Sequence, residues 1–293
     1  MSKSRFLNID NLSLQNILDE DSELIPLMTP EDEAEINKED VPDVLPILPL
    51  RNTVLFPGVV IPITAGRDQS IKLIKEANKG NKTIGVVSQK NEATENPGVD
   101  DIYKIGTVAR ILKMLKMPDG NTMVVLQGKK RFKIENMIQE DPFMKAKVQE
   151  LVEIVPEKKE KEFNAIIDSI KDIALQIIKE NPNIPTEASF AIKNIQSDSF
   201  LINFVSSNLN LDTAAKQELL NINSLKNRAL ETLKRMNKEL QRLELSNDIQ
   251  SKVREDMDQQ QREYYLHQQM KTIQEELGGV SHDEEIEEMR VLA

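Results

Sequence analysis

The 293-residue chain contains no cysteine, which excludes disulfides, thiol catalysis and cysteine-ligated zinc or iron–sulfur sites. Its two histidines, His267 and His282, leave histidine-rich metal sites and most imidazole acid–base schemes without material. No apolar run approaches the ~18 residues of a membrane helix. Long stretches also lack the two helix breakers. There is no glycine from Lys129 to Leu277 and no proline after Pro185, so residues 186–277 contain neither. The chain has no strongly basic part either, and a nucleic-acid partner is therefore not expected.

What is present is unevenly distributed. Residues 1–43 carry three basic side chains against twelve acidic ones, whereas the other 250 residues carry 35 against 37. An acidic tail thus precedes a nearly neutral body. Residues 19–43 read as self-repelling and disordered. Arginine-poor and acid-rich, the tail is no organelle presequence, and Asp10 interrupts the apolar residues a secretory signal would need. The default location is the cytoplasm.

Glycine and proline divide the body. Residues 44–156 hold eight of the ten glycines and eight of the thirteen prolines, the pattern of short, punctuated strands. Val44–Arg51 and Val59–Ile63 are extended, with prolines that assign them to edges or strand ends. Arg67–Lys79 is a short helix stopped by Gly80, and Thr83–Ser88 is a buried strand. Ile105–Met117 and Thr122–Leu126 flank a Pro118-Asp-Gly-Asn121 turn. Arg131–Ile138 and Met144–Val155 add two strands. The expected product is a small, strongly bent sheet or barrel with one helix.

Residues 157–211 change period. Phe163, Ile166, Ile167, Ile170, Ile173, Ala174, Ile177 and Ile178 form the stripe of a core-facing helix, ended at Asn181–Pro185. Two helices at about 187–195 and 198–208 complete a bundle. Asp212 reads as the N-cap of one helix running to Leu277, roughly 100 Å if unbroken. A heptad seam over Ala229, Leu233, Met236, Leu240 and Leu243 changes phase through Leu245, Ile249 and Val253. A polar stretch, Asp256–Arg262, precedes a second stripe at Leu266, Met270, Ile273 and Leu277. Residues 212–278 thus read as a connector. Gly278-Gly279 stops it, and Ser281-His-Asp-Glu284 is a capping box opening a further element over 279–293. That element is too short to stand alone, so a larger parent is expected. The fold class is α+β.

Leu48-Pro-Leu-Arg51, Phe56-Pro-Gly58 and Pro62, with Gly106-Thr107, Leu126-Gln-Gly128 and Arg131-Phe132, resemble the amino-terminal region of Lon, the ATP-dependent serine protease. Arg262-Glu-Tyr-Tyr-Leu-His-Gln-Gln-Met-Lys271 and Ile273-Gln-Glu-Glu-Leu-Gly278 resemble the stretch before that family's ATPase module. The resemblance spans roughly residues 44–280. It implies a PUA-like β domain, a helical bundle and a long helix. Together these recognise unfolded, misfolded or tagged protein substrates and help organise a ring, usually a hexamer; dimers are the expectation for this chain alone. The parent would use ATP and magnesium. This chain has no G-x-x-x-x-G-K-[ST] loop, and the family's serine–lysine dyad lies beyond the ATPase module. No catalytic, cofactor or metal residue is therefore assigned. A free-standing binding module and a coiled-coil scaffold are the other open readings.

Adjacent carboxylates such as Asp100-Asp101, Glu275-Glu276 and Glu284-Glu285 read as solvated charge, and His267 as a surface side chain. Lys113, Lys116, Lys129, Lys130, Arg131 and Lys133 would form a local basic patch without aromatic stacking partners. Client capture needs adaptable apolar surface. The candidates are Met114, Leu115 and Met117 beside the hairpin, with Met137, Phe143 and Met144. Tyr264 and Tyr265 are further candidates for contact with a client or a neighbouring subunit.

Overall fold

A computed structural model describes residues 29–118, 120–157, 160–276 and 289–291. The expected Gly278-Gly279 stop and the Ser281–Glu284 capping box lie outside them. The chain divides into two units, Met1–Leu240 and Gln241–Ala293.

The first unit is α+β. A short helix, α1 (Pro30–Lys38), precedes β1 (Val44–Leu50), β2 (Val60–Ala65), α2 (Asp68–Lys79), β3 (Thr83–Ser88), β4 (Ile105–Lys116), β5 (Thr122–Gln139) and β6 (Lys145–Glu150). The sheet order is β2-β5-β4-β3-β1-β6, and β6 also pairs with β5. That last pairing closes five strands into a barrel and leaves β2 on the rim. Pairing is antiparallel except between β1 and β3.

Three expectations change here. Residues 30–38, read as disordered tail, are helical and docked. β1 is interior despite Pro46 and Pro49, because β6 takes Val44–Pro46 and β3 takes Ile47–Leu50; the two prolines fall in different ladders. The strands read separately at 122–126 and 131–138 are one, since Gly128 continues the ladder opposite Ala109.

Alternation along the strands fills two clusters. Leu48, Leu50, Leu55, Ile84, Val86, Ile111, Val124 and Leu126 receive Leu73, Ile74 and Ala77 of α2. Leu45, Ile47, Val87, Val108, Phe132, Ile134, Met144 and Val148 form the other. The 51–59 loop lies against the barrel where a side chain would obstruct it. Gly128 donates to Val59 O at 2.9 Å, Gly58 donates to Gly128 O at 2.9 Å, and Thr107 Oγ1 donates to Leu55 O at 2.5 Å. A Cβ on Gly128 would meet Phe56 O at 2.3 Å, and one on Gly106 would meet Val86 O at 2.2 Å.

The helical part comprises α3 (Lys161–Glu180), α4 (Ala188–Asn194), α5 (Asp198–Asn208), α6 (Thr213–Asn221) and α7 (Leu225–Glu276). α3 buries Phe163, Ile166, Ile167, Ile170, Ala174 and Ile177. Ser197 caps α5 by accepting from Phe200 N, and Asp212 caps α6 by accepting from Ala215 N. The helix expected to run unbroken from Asp212 is interrupted after Asn221. Two arginines hold the break. Arg131 Nη1 donates to Leu220 O and Ile222 O at 2.9 and 3.0 Å, and Arg228 Nη2 donates to Ile222 O at 2.6 Å. The carbonyls that a continuing helix would use internally are thus taken by guanidinium groups.

Those arginines share one carboxylate. Glu153, on the segment leaving β6, lies 2.8 Å from Arg228 Nη1 and 3.7 Å from Arg131 Nη2, and it accepts from Ser199 Oγ at 3.1 Å. Its segment also bridges Ser224: Ile154 N donates to Asn223 O, and Leu225 N to Ile154 O. Burial pushes the Arg131 guanidinium down to about 10, with Arg228 adding to the effect and Glu153 opposing it. Arg228 is lowered by burial too, again opposed by Glu153.

In the second unit α7 continues to Glu276 with its apolar side chains exposed. No described helix is long and apolar enough to cross a membrane.

Glu153→Ala should cost about 3–5 kcal/mol in urea denaturation, because two buried cations lose their shared anion. Lys234→Ala, at a surface pair with Glu231, should cost less than about 1 kcal/mol. Gly106→Ala should lose about 1–3 kcal/mol by overpacking against backbone.

Candidate interaction surface

The candidate apolar residues separate by depth. Phe143 and Met144 are 3% and 6% exposed and belong to the two barrel clusters, which corrects their reading as client-contact surface. They follow Asp141-Pro142 and precede β6: Met144 shares the inward phase of Ala146 and Val148, whereas Phe143 turns into the other cluster. Met114 and Met137 are half-buried against different clusters, so the six residues do not form one patch. Leu115 and Met117 remain half-buried on the β4–β5 hairpin, and Leu112 is 47% exposed beside them. The hairpin turns at Gly120, with φ +87°, and Met117 N donates to Asn121 O at 2.9 Å.

Sequence reasoning passed over Leu112, Ile138, Val152, Ile154, Val155 and Phe190, all exposed. The signal for Leu112 is its phase: Ile111 is buried and β4 alternates. The sequence pattern places Val152–Val155 in a strand beginning at Met144. β6 instead ends at Glu150, and the freed segment turns Val152, Ile154 and Val155 outward while Glu153 faces in.

That segment borders a cleft of about 740 Å³ between barrel and helical part, lined by Lys129, Lys130, Glu150, Val152, Val155 and Phe163 among others. Its electrostatics are mixed. Lys130 pairs with Glu150 at 3.0 Å, and Lys129 with Glu39. Burial raises the Asp198 carboxyl at the cleft wall above its usual range, with Lys171 opposing and Asp168 adding. Three members of the expected basic patch, Lys129, Lys130 and Arg131, are thus engaged by carboxylates of this chain.

On α7, Tyr264 and Tyr265 are 63% and 67% exposed, with ring centroids 6.3 Å apart and edge to face. Gln268 Nε2 donates to Tyr264 Oη at 3.3 Å. His267 is exposed on the same helix. Among the described residues no three His, Asp or Glu side chains gather as a metal site would require. The surface offers docking area and ion pairs.

A family model for the ATP-dependent protease La (LON) substrate-binding domain matches residues 44–238. The chain belongs to the Lon substrate-binding domain family. It is 68% identical over 289 residues to the Lon protease of Flavobacterium johnsoniae, covering 99% of this chain and 35% of that protein. It is 52% identical over 268 residues to the Lon protease of Cytophaga hutchinsonii, covering 92% of this chain and 33% of that one. The chain thus spans about a third of the length of these relatives. The N-terminal domain of a Mycobacterium avium complex Lon protease shares the fold, with TM-score 0.55 at 20% identity over 66% of this chain and 98% of that one. The family match covers the barrel, the helices α3 to α6 and the base of α7.

Substitution should separate core from surface. Phe143→Ala should lower stability by about 3–5 kcal/mol in denaturant melts. Leu112→Ser should change it by less than about 0.5 kcal/mol, as an exposed position does.

Proposed function

We propose that this chain recognises unfolded or misfolded polypeptides for an ATP-dependent serine protease of the Lon type and helps to assemble its ring in the cytoplasm. The observation that carries the reading is the family match over residues 44–238. The exposed Leu112, with Leu115 and Met117 on the same hairpin, gives it a physical means, because flexible apolar side chains accept varied sequences.

The chain's own residues do not fit a nucleotide site. No phosphate-binding loop occurs in the sequence. ATP and magnesium therefore belong, on this proposal, to the part of the protease that follows in its relatives. The exposed Leu245, Ile249, Val253, Met257, Tyr264 and Tyr265 of α7 are proposed to pack on other copies or on that engine.

Binding to a labelled, permanently unfolded protein, followed by fluorescence anisotropy, tests the reading. The chain should bind the unfolded form in preference to the native one. The triple variant L112S/L115S/M117S should weaken binding by about tenfold, a loss of ~1.4 kcal/mol, with the melting temperature held. Equal binding of native and unfolded forms would sink the proposal.

A further inference from the structure

Glu33, Ile36 and Glu39 fall three residues apart and line one side of α1 and the turn after it. Each is placed on the barrel–helix cleft or its edge. The Glu39 carboxylate meets the Lys129 ammonium, and the Glu33 carboxylate accepts from the Ser197 hydroxyl. Ile36 is half-buried between them. It lines both the 740 Å³ cleft and a neighbouring cavity of about 310 Å³. Two residues beyond Glu39, Val41 packs against the second barrel cluster. An acidic arm of the chain is therefore seated on a groove that offers a cation at one end, a hydroxyl at the other and an apolar wall with Phe163.

We infer that this groove is a receptor for acidic amphipathic segments, carboxylate–apolar–carboxylate at three-residue spacing, and that α1 is its resident in cis. The inference rests on the client-capture reading above and gives that reading a substrate class. One charge match supports it: Lys130 and Arg131 pair with Glu150 and Glu153 of the groove itself, whereas Lys129 is met by the arm's Glu39. The arm is also releasable. Glu39 keeps half of its side chain in water, so water reaches the pair from the arm's side, and a rival carboxylate can replace Glu39 on Lys129. The tether adds to those contacts an effective concentration of about millimolar. A partner with the same pattern competes against that concentration. Alongside the seated arm, the cleft retains room for further side chains of a longer segment, and Val152 and Val155 stand exposed at its rim.

The experiment uses the full chain and a labelled peptide of residues 29–41, read by fluorescence anisotropy. The variant I36D/E39K, which sets a lysine against Lys129, should bind the peptide about tenfold more tightly than the unaltered chain, because the tethered competitor is gone. Adding K129E should remove that gain, and so should replacing the peptide's Glu33, Ile36 and Glu39 by Gln, Ser and Gln. Equal affinity of the unaltered and I36D/E39K chains overturns the inference, as does indifference to K129E. Hydrogen exchange on the unaltered chain needs no variant to fold. Saturating peptide should speed exchange of amides 33–39 and slow that of 150–156; unchanged rates at both overturn the proposal. An unfolded protein is titrated in parallel. If I36D/E39K binds it but not the peptide, the acidic-segment inference falls while client capture stands. If it binds neither, both fall.

Discussion

The first unit depends on one carboxylate shared by two buried guanidinium groups. Glu153 is reached from the barrel by Arg131, from the last helix by Arg228 and from α5 by Ser199. Removing charge from water is costly, and one anion does not balance two cations. Neutral acceptors take up other N–H groups of the pair: the carbonyls of Leu220 and Ile222 and the side chains of Asn203 and Asn223. Arg131 Nη2 has no hydrogen-bond partner, with Glu153 at 3.7 Å. An apolar plug of equal volume would fill the space, but it would not fix where α6 ends and α7 begins. The ionic cluster specifies a corner.

Around that corner the barrel is shaped by close approach. Gly106 and Gly128 let the 51–59 loop and neighbouring strands lie where a methyl group would collide. The 18-residue β5 supplies partners to β2, β4 and β6 in turn. Ring closure comes from the C-terminal half of that strand, where Phe132–Gln139 meets β6.

Much of this was legible because it is local. Glycine and proline spacing separated a β body from a helical one, and the 3.6-residue stripe of α3 named its buried side almost residue by residue. Proteolysis was not legible from patterning and entered only through resemblance. The readings that failed depend on distant partners. Nothing near Asn221 announces that Arg131, ninety positions away, will take its neighbours' carbonyls. Nothing in the acid-rich composition of residues 30–39 shows that Ser197 awaits Glu33 and Lys129 awaits Glu39. Phe143 and Met144 looked available because their partners are distant: Met144 falls in phase with the inward Ala146 and Val148, and Phe143 packs among residues of β1, α2 and β5. The cleft was illegible for the same reason, since its walls come from residues 33 to 225.

The position of Glu153 just beyond β6 has a mechanical consequence. β6 is held antiparallel between β1 and β5, with Glu150 opposite Phe132, so tension entering from residue 151 would peel the strand one hydrogen bond at a time from its end. Before that tension arrives it meets Glu153, which is fastened at 2.8 Å to Arg228 of α7 and lies 3.7 Å from Arg131 on the very strand that β6 would be stripped from. Load is passed sideways into α7 and β5 through the two guanidinium groups, and the peeling direction of the strand is spared. That fastening acts as strain relief.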